Sequence, residues 1–309
     1  MPRENRAAPS GPAADDRAVL SAAPGAAAGP SVYTDSHAHL SLVESRLGGA
    51  CVEAMLSAYA GAWEQEIRSG LEASAPFILD IGVNPGDLEL RLQRFGRYPF
   101  VRFTAGLWPG RESLDRPNEA LAELKKDLAS PRCGALGECG LDYHHMEAPR
   151  SEQMRLFASQ AAMAEELGLP LVVHSRDAFE DTLAVVSGVA SSIPVIIHCF
   201  GYGAREAEKF LETGCLLSFA GNLTYKKSDG LRSALAITPP DRLLIETDSP
   251  YMNPMPRRGK DATSLDIART IELAARLKNV SVAELSAAAQ ANAFRIFSGK
   301  RRRGEALPS

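Results

Sequence analysis

From Val32 onward, short runs dominated by Val, Ile, Leu and Phe alternate with longer segments in which apolar residues recur every three or four positions. Eight such short runs stand at residues 32–36, 77–83, 101–107, 134–138, 171–174, 195–198, 216–220 and 243–247. Each lacks the regular polar alternation of a sheet with one wet face, so each reads as a strand buried on both sides. Strands that alternate with helices pair in parallel, and eight of them close on themselves. The pattern therefore predicts an α/β protein of the (β/α)8 or TIM-barrel type. Among the helical segments, 151–168 puts Met154, Phe157, Ala158, Ala161, Ala162 and Leu167 on one broad stripe, with Pro149 before it and Gly168 closing it. Segments 263–278 and 281–297 read as the two closing helices.

Composition adjusts this picture at its ends. A chain of 309 residues with 45% hydrophobic content buries a large core, and residues 31–299 are expected to form one barrel domain. Residues 1–30 are rich in Ala, Pro and Gly. Asp15, Asp16 and Arg17 interrupt every apolar run there, so the stretch is expected to be a disordered tail and not a signal peptide. Residues 300–309 open with Lys300, Arg301, Arg302 and Arg303 and are expected to form a basic, solvated tail. No later run approaches the roughly 20 apolar residues of a membrane span.

Charge and thiols narrow the function. A net charge of −4 with scattered Lys and Arg provides no basic belt for gripping duplex DNA, so any attraction to a phosphate-bearing substrate has to be local. Metal ions can supply it. The five cysteines are odd in number and include no CxxC pair, which speaks against a disulfide framework or a structural zinc knot and for reduced thiols. No obligate protein partner is indicated.

The chemistry concentrates at strand ends. Four of the six histidines, His37, His39, His174 and His198, fall at or just past the C-terminal ends of predicted strands, as do Glu138 and Asp248. In a (β/α)8 barrel those ends ring one mouth, so six residues distant in sequence are expected to converge. His37 and His39 are two apart on an extended chain and face the same side. Glu138 stands between glycines and is placed to bridge two metals, and Asp248 to serve as base or water-orienting group. Imidazoles with carboxylates suit Zn, Mn or Fe, and Mg if waters complete its shell. Two such divalent cations activate water and polarise the substrate oxygen.

These residues lie in Asp35-Ser36-His37-Ala38-His39, Gly137-Glu138-Cys139-Gly140-Leu141-Asp142-Tyr143, Leu171-Val172-Val173-His174-Ser175-Arg176, His198-Cys199-Phe200 and Glu246-Thr247-Asp248-Ser249-Pro250-Tyr251. With these five motifs in order, the chain resembles the TatD family of metal-dependent hydrolases, within the amidohydrolase-like barrels. The resemblance runs from about Tyr33 to Phe297. It implies that His37, His39, Glu138, His174, His198 and Asp248 are the metal ligands, with Glu138 bridging. It further implies metal-dependent DNase activity at DNA ends and a cytoplasmic location.

Two departures bear on substrate and not on metal. Where the family has a Gly-x-His-Pro turn, this chain reads Gly106-Leu107-Trp108-Pro109, which replaces a proton-donating imidazole by a ring able to stack on a base or sugar. Past Tyr251, Arg257-Arg258-Gly259-Lys260 leads into Asp261-Ala262-Thr263 in place of the family's Arg, Gly and Asn. Arg176, Arg257 and Arg258 are candidate phosphate contacts, a salt bridge from Arg176 to Asp177 being the alternative. The leading expectation is a deoxyribonuclease acting on DNA or another phosphoester. The alternatives are a metal-dependent ester or amide hydrolase, such as an aminoacyl-tRNA deacylase or lactonase, and a binding barrel with a vestigial site.

Overall fold

The computed structural model describes residues 31–298; the tails expected at 1–30 and 300–309 lie outside the described residues. Among the described residues, eight strands run parallel in the order β1 to β8: Asp35–Ala38, Ile78–Asp80, Val101–Ala105, Cys133–Asp142, Leu171–Arg176, Val195–Ile197, Leu216–Phe219 and Leu243–Ile245. β8 returns to β1 just past its end, where Asp248 N donates to His37 O at 2.9 Å and His39 N donates to Ser249 O at 2.8 Å. Asp35 fastens the same seam, its carboxylate accepting from Thr247 N at 2.9 Å and Thr247 Oγ1 at 2.6 Å. The expected barrel is present.

Helices α1 (Leu40–Leu47), α2 (Gly49–Arg68), α3 (Leu88–Phe95), α4 (Arg111–Leu114), α5 (Pro117–Ala129), α6 (Arg150–Leu167), α7 (Phe179–Ser187), α8 (Ala204–Glu212) and α9 (Asp229–Ile237) fall between the strands. After β8 come α10 (Ile267–Lys278) and α11 (Val282–Phe297). The core is one continuous cluster containing Phe77, Phe103, Phe157, Phe200 and Phe219, each nearly or fully buried. Complete burial of an aromatic or aliphatic side chain stabilises by about 1.5–3 kcal/mol, so the sum over strand and helix faces supports closure.

Three local departures from expectation position the site. β1 starts at Asp35 and ends at Ala38, so His37 lies inside the strand and His39 stands at the turn into α1. Asp80 at the end of β2 holds that turn by accepting the Leu40 N–H at 3.0 Å. β4 runs on to Asp142 and does not stop at Glu138. Its glycines keep it in the sheet: a Cβ on Gly140, whose φ is +139°, would lie 2.0 Å from His174 O on β5. In α6 the buried residues are Gln153, Leu156, Phe157, Gln160, Ala161 and Ala164, while Ala158, Ala162 and Leu167 of the expected stripe are exposed. The two glutamines explain the rotation. Gln160 Oε1 accepts from Leu107 N at 2.9 Å and its Nε2 donates to Leu107 O at 3.0 Å. Gln153 treats Asp142 likewise, at 2.9 Å and 3.1 Å. A buried amide is tolerated only when its hydrogen bonds are made, so these partners turn a polar edge of α6 inward.

Candidate metal centre

The strand ends surround a cavity of about 910 Å³ whose wall includes His39, Glu138, His174, His198 and Asp248. His37 is fully buried beside them, its ring stacked on that of His198 at 3.8 Å between centroids. Alternation along β1 brings His37 and His39 to one side, with their Nε2 atoms 3.3 Å apart. Glu138, from the middle of β4, divides its two oxygens between two pairs of imidazoles. Oε2 lies 3.2 Å from His37 Nε2 and 3.5 Å from His39 Nε2. Oε1 lies 3.0 Å from both His174 Nδ1 and His198 Nε2. Asp248 joins the first pair, its Oδ1 being 3.5 Å from His39 Nε2 and 3.8 Å from His37 Nε2.

Two carboxylates that sequence reasoning passed over aim these rings. Glu246 Oε1 faces His198 Nδ1 at 3.3 Å and also accepts the Cys199 N–H at 2.7 Å. Asp142 Oδ2 faces His174 Nε2 at 3.0 Å. Each leaves the opposite ring nitrogen turned toward Glu138. Orientation of this kind selects the tautomer that presents a lone pair to a cation. The signal was present in the sequence: Glu246 stands two residues before Asp248, and Asp142 four after Glu138 on the same strand.

The donor set fits a cation on electrostatic grounds. Burial pushes the Glu138 carboxyl up, yet the charge of His198 and hydrogen bonds from His174, His198 and His37 hold it well below the usual range. Asp248 is likewise held low against burial, by its bond to His39 and by the neighbouring imidazoles. Burial opposes charging of the rings, but Glu138 and Glu246 raise His198 well above the ordinary histidine value. Asp142 and Glu138 raise His174, and Asp248 and Glu138 raise His39. His37 alone is lowered, by burial and by the charge of His198. The cluster therefore gathers positive charge around buried carboxylates. A divalent cation provides that charge and leaves the imidazoles neutral, as donors must be. Ligand atoms of His37, His39 and Glu138, and those of Glu138, His174 and His198, lie within 4.8 Å of one another.

The expected substrate residues separate. Trp108 and Arg176 line the cavity. Arg176 makes no salt bridge to Asp177, which faces His144 Nδ1 at 3.3 Å. Arg257 pairs with Asp266 at 2.9 Å and Arg258 lies over the Tyr225 ring at 4.5 Å, and neither belongs to the cavity wall. His145, which sequence reasoning left without a role, does line it. All five cysteines are free. Among the described residues no helix is long and apolar enough to cross a membrane.

An eight-stranded parallel barrel with imidazoles and carboxylates gathered at its strand ends defines a metal-dependent hydrolase. The chain belongs to the TatD family: the TatD related DNase family matches residues 34–298. It is 30% identical over 264 residues to the uncharacterized metal-dependent hydrolase YabD of Bacillus subtilis, across 85% of this chain and 98% of that protein. It is 29% identical over 241 residues to a protein of Erwinia billingiae named 3'-5' ssDNA/RNA exonuclease TatD, across 76% of this chain and 92% of the relative. The crystal structure of the Escherichia coli TatD homologue YJJV has the same fold, with a TM-score of 0.71 at 21% identity, over 86% of this chain and 98% of that one.

Proposed function

We propose that the protein is a two-cation phosphodiesterase that removes nucleotides from the end of a DNA strand. The observation that carries this reading is Arg176, a guanidinium on the cavity wall with no carboxylate within 4.0 Å among the described residues, in the same cavity as Glu138 and Asp248. A fork of N–H donors left free beside a cation-binding floor matches the non-bridging oxygens of a phosphate. The name of the Erwinia billingiae relative supports the same substrate class.

In this reading Glu138 together with His37, His39 and Asp248 on one side and His174 and His198 on the other would hold the cations, which would lower the pKa of water and polarise the phosphoryl oxygen. Asp248 orients the attacking water and accepts its proton. Arg176 fixes the phosphate, and the Trp108 ring offers a stacking surface for a base. Incubation of an end-labelled oligonucleotide with protein stripped of metal, and then with Mg, Mn or Zn restored, tests it. The expected result is stepwise release of mononucleotides only with a cation. Equal cleavage in excess chelator overturns it.

A second reading, hydrolysis of a compact ester or amide such as an aminoacyl ester or lactone, draws on the engagement of Arg257 and Arg258 away from the cavity. Parallel assays on those substrates separate the two.

A further inference from the structure

We propose that His145 is the proton donor to the leaving oxygen in this reaction, an assignment that rests on the phosphodiesterase reading above. The turn after β4 is built around Asp142. Its Oδ1 accepts the backbone N–H groups of His144 at 2.9 Å and His145 at 2.7 Å, which folds the chain back over the strand end. Its Oδ2 accepts His145 Nδ1 at 2.8 Å. That bond holds the ring through Nδ1 and leaves Nε2 available to donate.

The other histidines are committed elsewhere. His37, His39, His174 and His198 turn ring nitrogens toward Glu138. His144 faces Asp177 and is not part of the cavity wall. His145 is the cavity histidine whose Nε2 has no hydrogen-bond partner among the described residues. The Trp108 ring meets it in an edge-to-face arrangement, with centroids 6.4 Å apart. Its side chain is 50% exposed, so solvent can return a proton to it between turnovers.

The oxygen of the attacking water forms a bond to phosphorus while the bond from phosphorus to the leaving deoxyribose oxygen breaks. The electron pair of the broken bond stays on that oxygen, which takes the proton from His145 Nε2. The proton of the water goes to Asp248. Solvent restores the proton to His145 and removes the one on Asp248, and the products are a nucleoside monophosphate and a shortened strand bearing a hydroxyl.

A leaving group that needs no proton distinguishes this role from substrate binding. Metal-loaded wild type, His145→Gln and His145→Ala are compared on an oligonucleotide and on the 4-nitrophenyl ester of thymidine 5'-monophosphate, with metal content measured in each. The expected result is a fall in kcat of about 10²–10³-fold on the oligonucleotide, the size of a lost general acid, and of less than about fivefold on the nitrophenyl ester. Added imidazole restores part of the oligonucleotide rate of His145→Ala, and both variants keep the wild-type metal content. Equal losses on both substrates, an undiminished oligonucleotide rate, or loss of metal from the variants overturns the assignment. If wild type cleaves neither substrate, the phosphodiesterase reading has failed and the role of His145 falls with it.

Discussion

Glu246 and Asp142 act on the centre through imidazoles they hold, Glu246 at His198 Nδ1 and Asp142 at His174 Nε2. Replacing either carboxylate by its amide keeps the shape but removes the charge that favours the metal-ready tautomer. Glu246→Gln and Asp142→Asn are each expected to weaken divalent-cation affinity by about 10–100-fold. Calorimetric titration of the stripped protein measures this, and unchanged affinity in both variants would show that the rings need no such support. Arg176 differs because it touches no ligand in the cluster. Arg176→Ala is expected to raise KM on a DNA end while metal content stays constant, and a loss of metal would place it in the wrong role. At this scale the sequence exposed the imidazoles and carboxylates of the cluster plainly, since they stand at or just past the ends of apolar runs. The residues that orient them were hidden, because a carboxylate beside a motif looks the same whether it faces a ring, a cation or water.

Among the elements, β4 and α6 carry the largest differences between pattern and structure. Glycine usually weakens a strand, so a run ending at Glu138 was the expected reading of β4. Gly140 instead permits an approach to β5 that any side chain would block, and the strand continues to Asp142. α6 was legible as a helix but not in its rotation, because hydrophobicity alone cannot register glutamines that pair with backbone. Gln160→Leu would leave the N–H and C=O of Leu107 unpaired inside the protein. Each buried unpaired group costs about 1–3 kcal/mol, so urea unfolding is expected to report a loss of roughly 2–6 kcal/mol. A loss under about 0.5 kcal/mol would mean that water reaches Leu107 and the amide is dispensable.

For the whole molecule, metal and protons compete for one cluster. Against burial, the carboxylates around His39, His174 and His198 raise their folded-state pKa values above the ordinary histidine value of 6.5. A group raised in this way stabilises the folded state fully below 6.5, and the contribution is lost as pH climbs through the folded value. The metal-free protein therefore loses this support on the alkaline side of 6.5. A cation displaces the same protons, so its affinity grows over that window. Thermal melts with and without saturating cation are expected to show a gap in Tm that widens as pH rises above 6.5. A gap that stays constant or narrows would contradict the linkage.

The sequence by itself determined the barrel and the residue types gathered at its mouth, because both are written in local terms: strand-length apolar runs, helical periodicity, and a polar residue closing each of several runs. It did so without long-range information, since closure of eight parallel strands brings their C-terminal ends to one mouth whatever the details. Tertiary structure alone decided how the donors divide, with Glu138 giving one oxygen to His37 and His39 and the other to His174 and His198. It also decided which cations reach the cavity, admitting Arg176 and leaving Arg257 in a pair with Asp266. The reason is geometric. Distances of 3 to 4 Å between residues a hundred positions apart depend on register, strand approach and turn shape, and none of these is a property of a residue or its near neighbours.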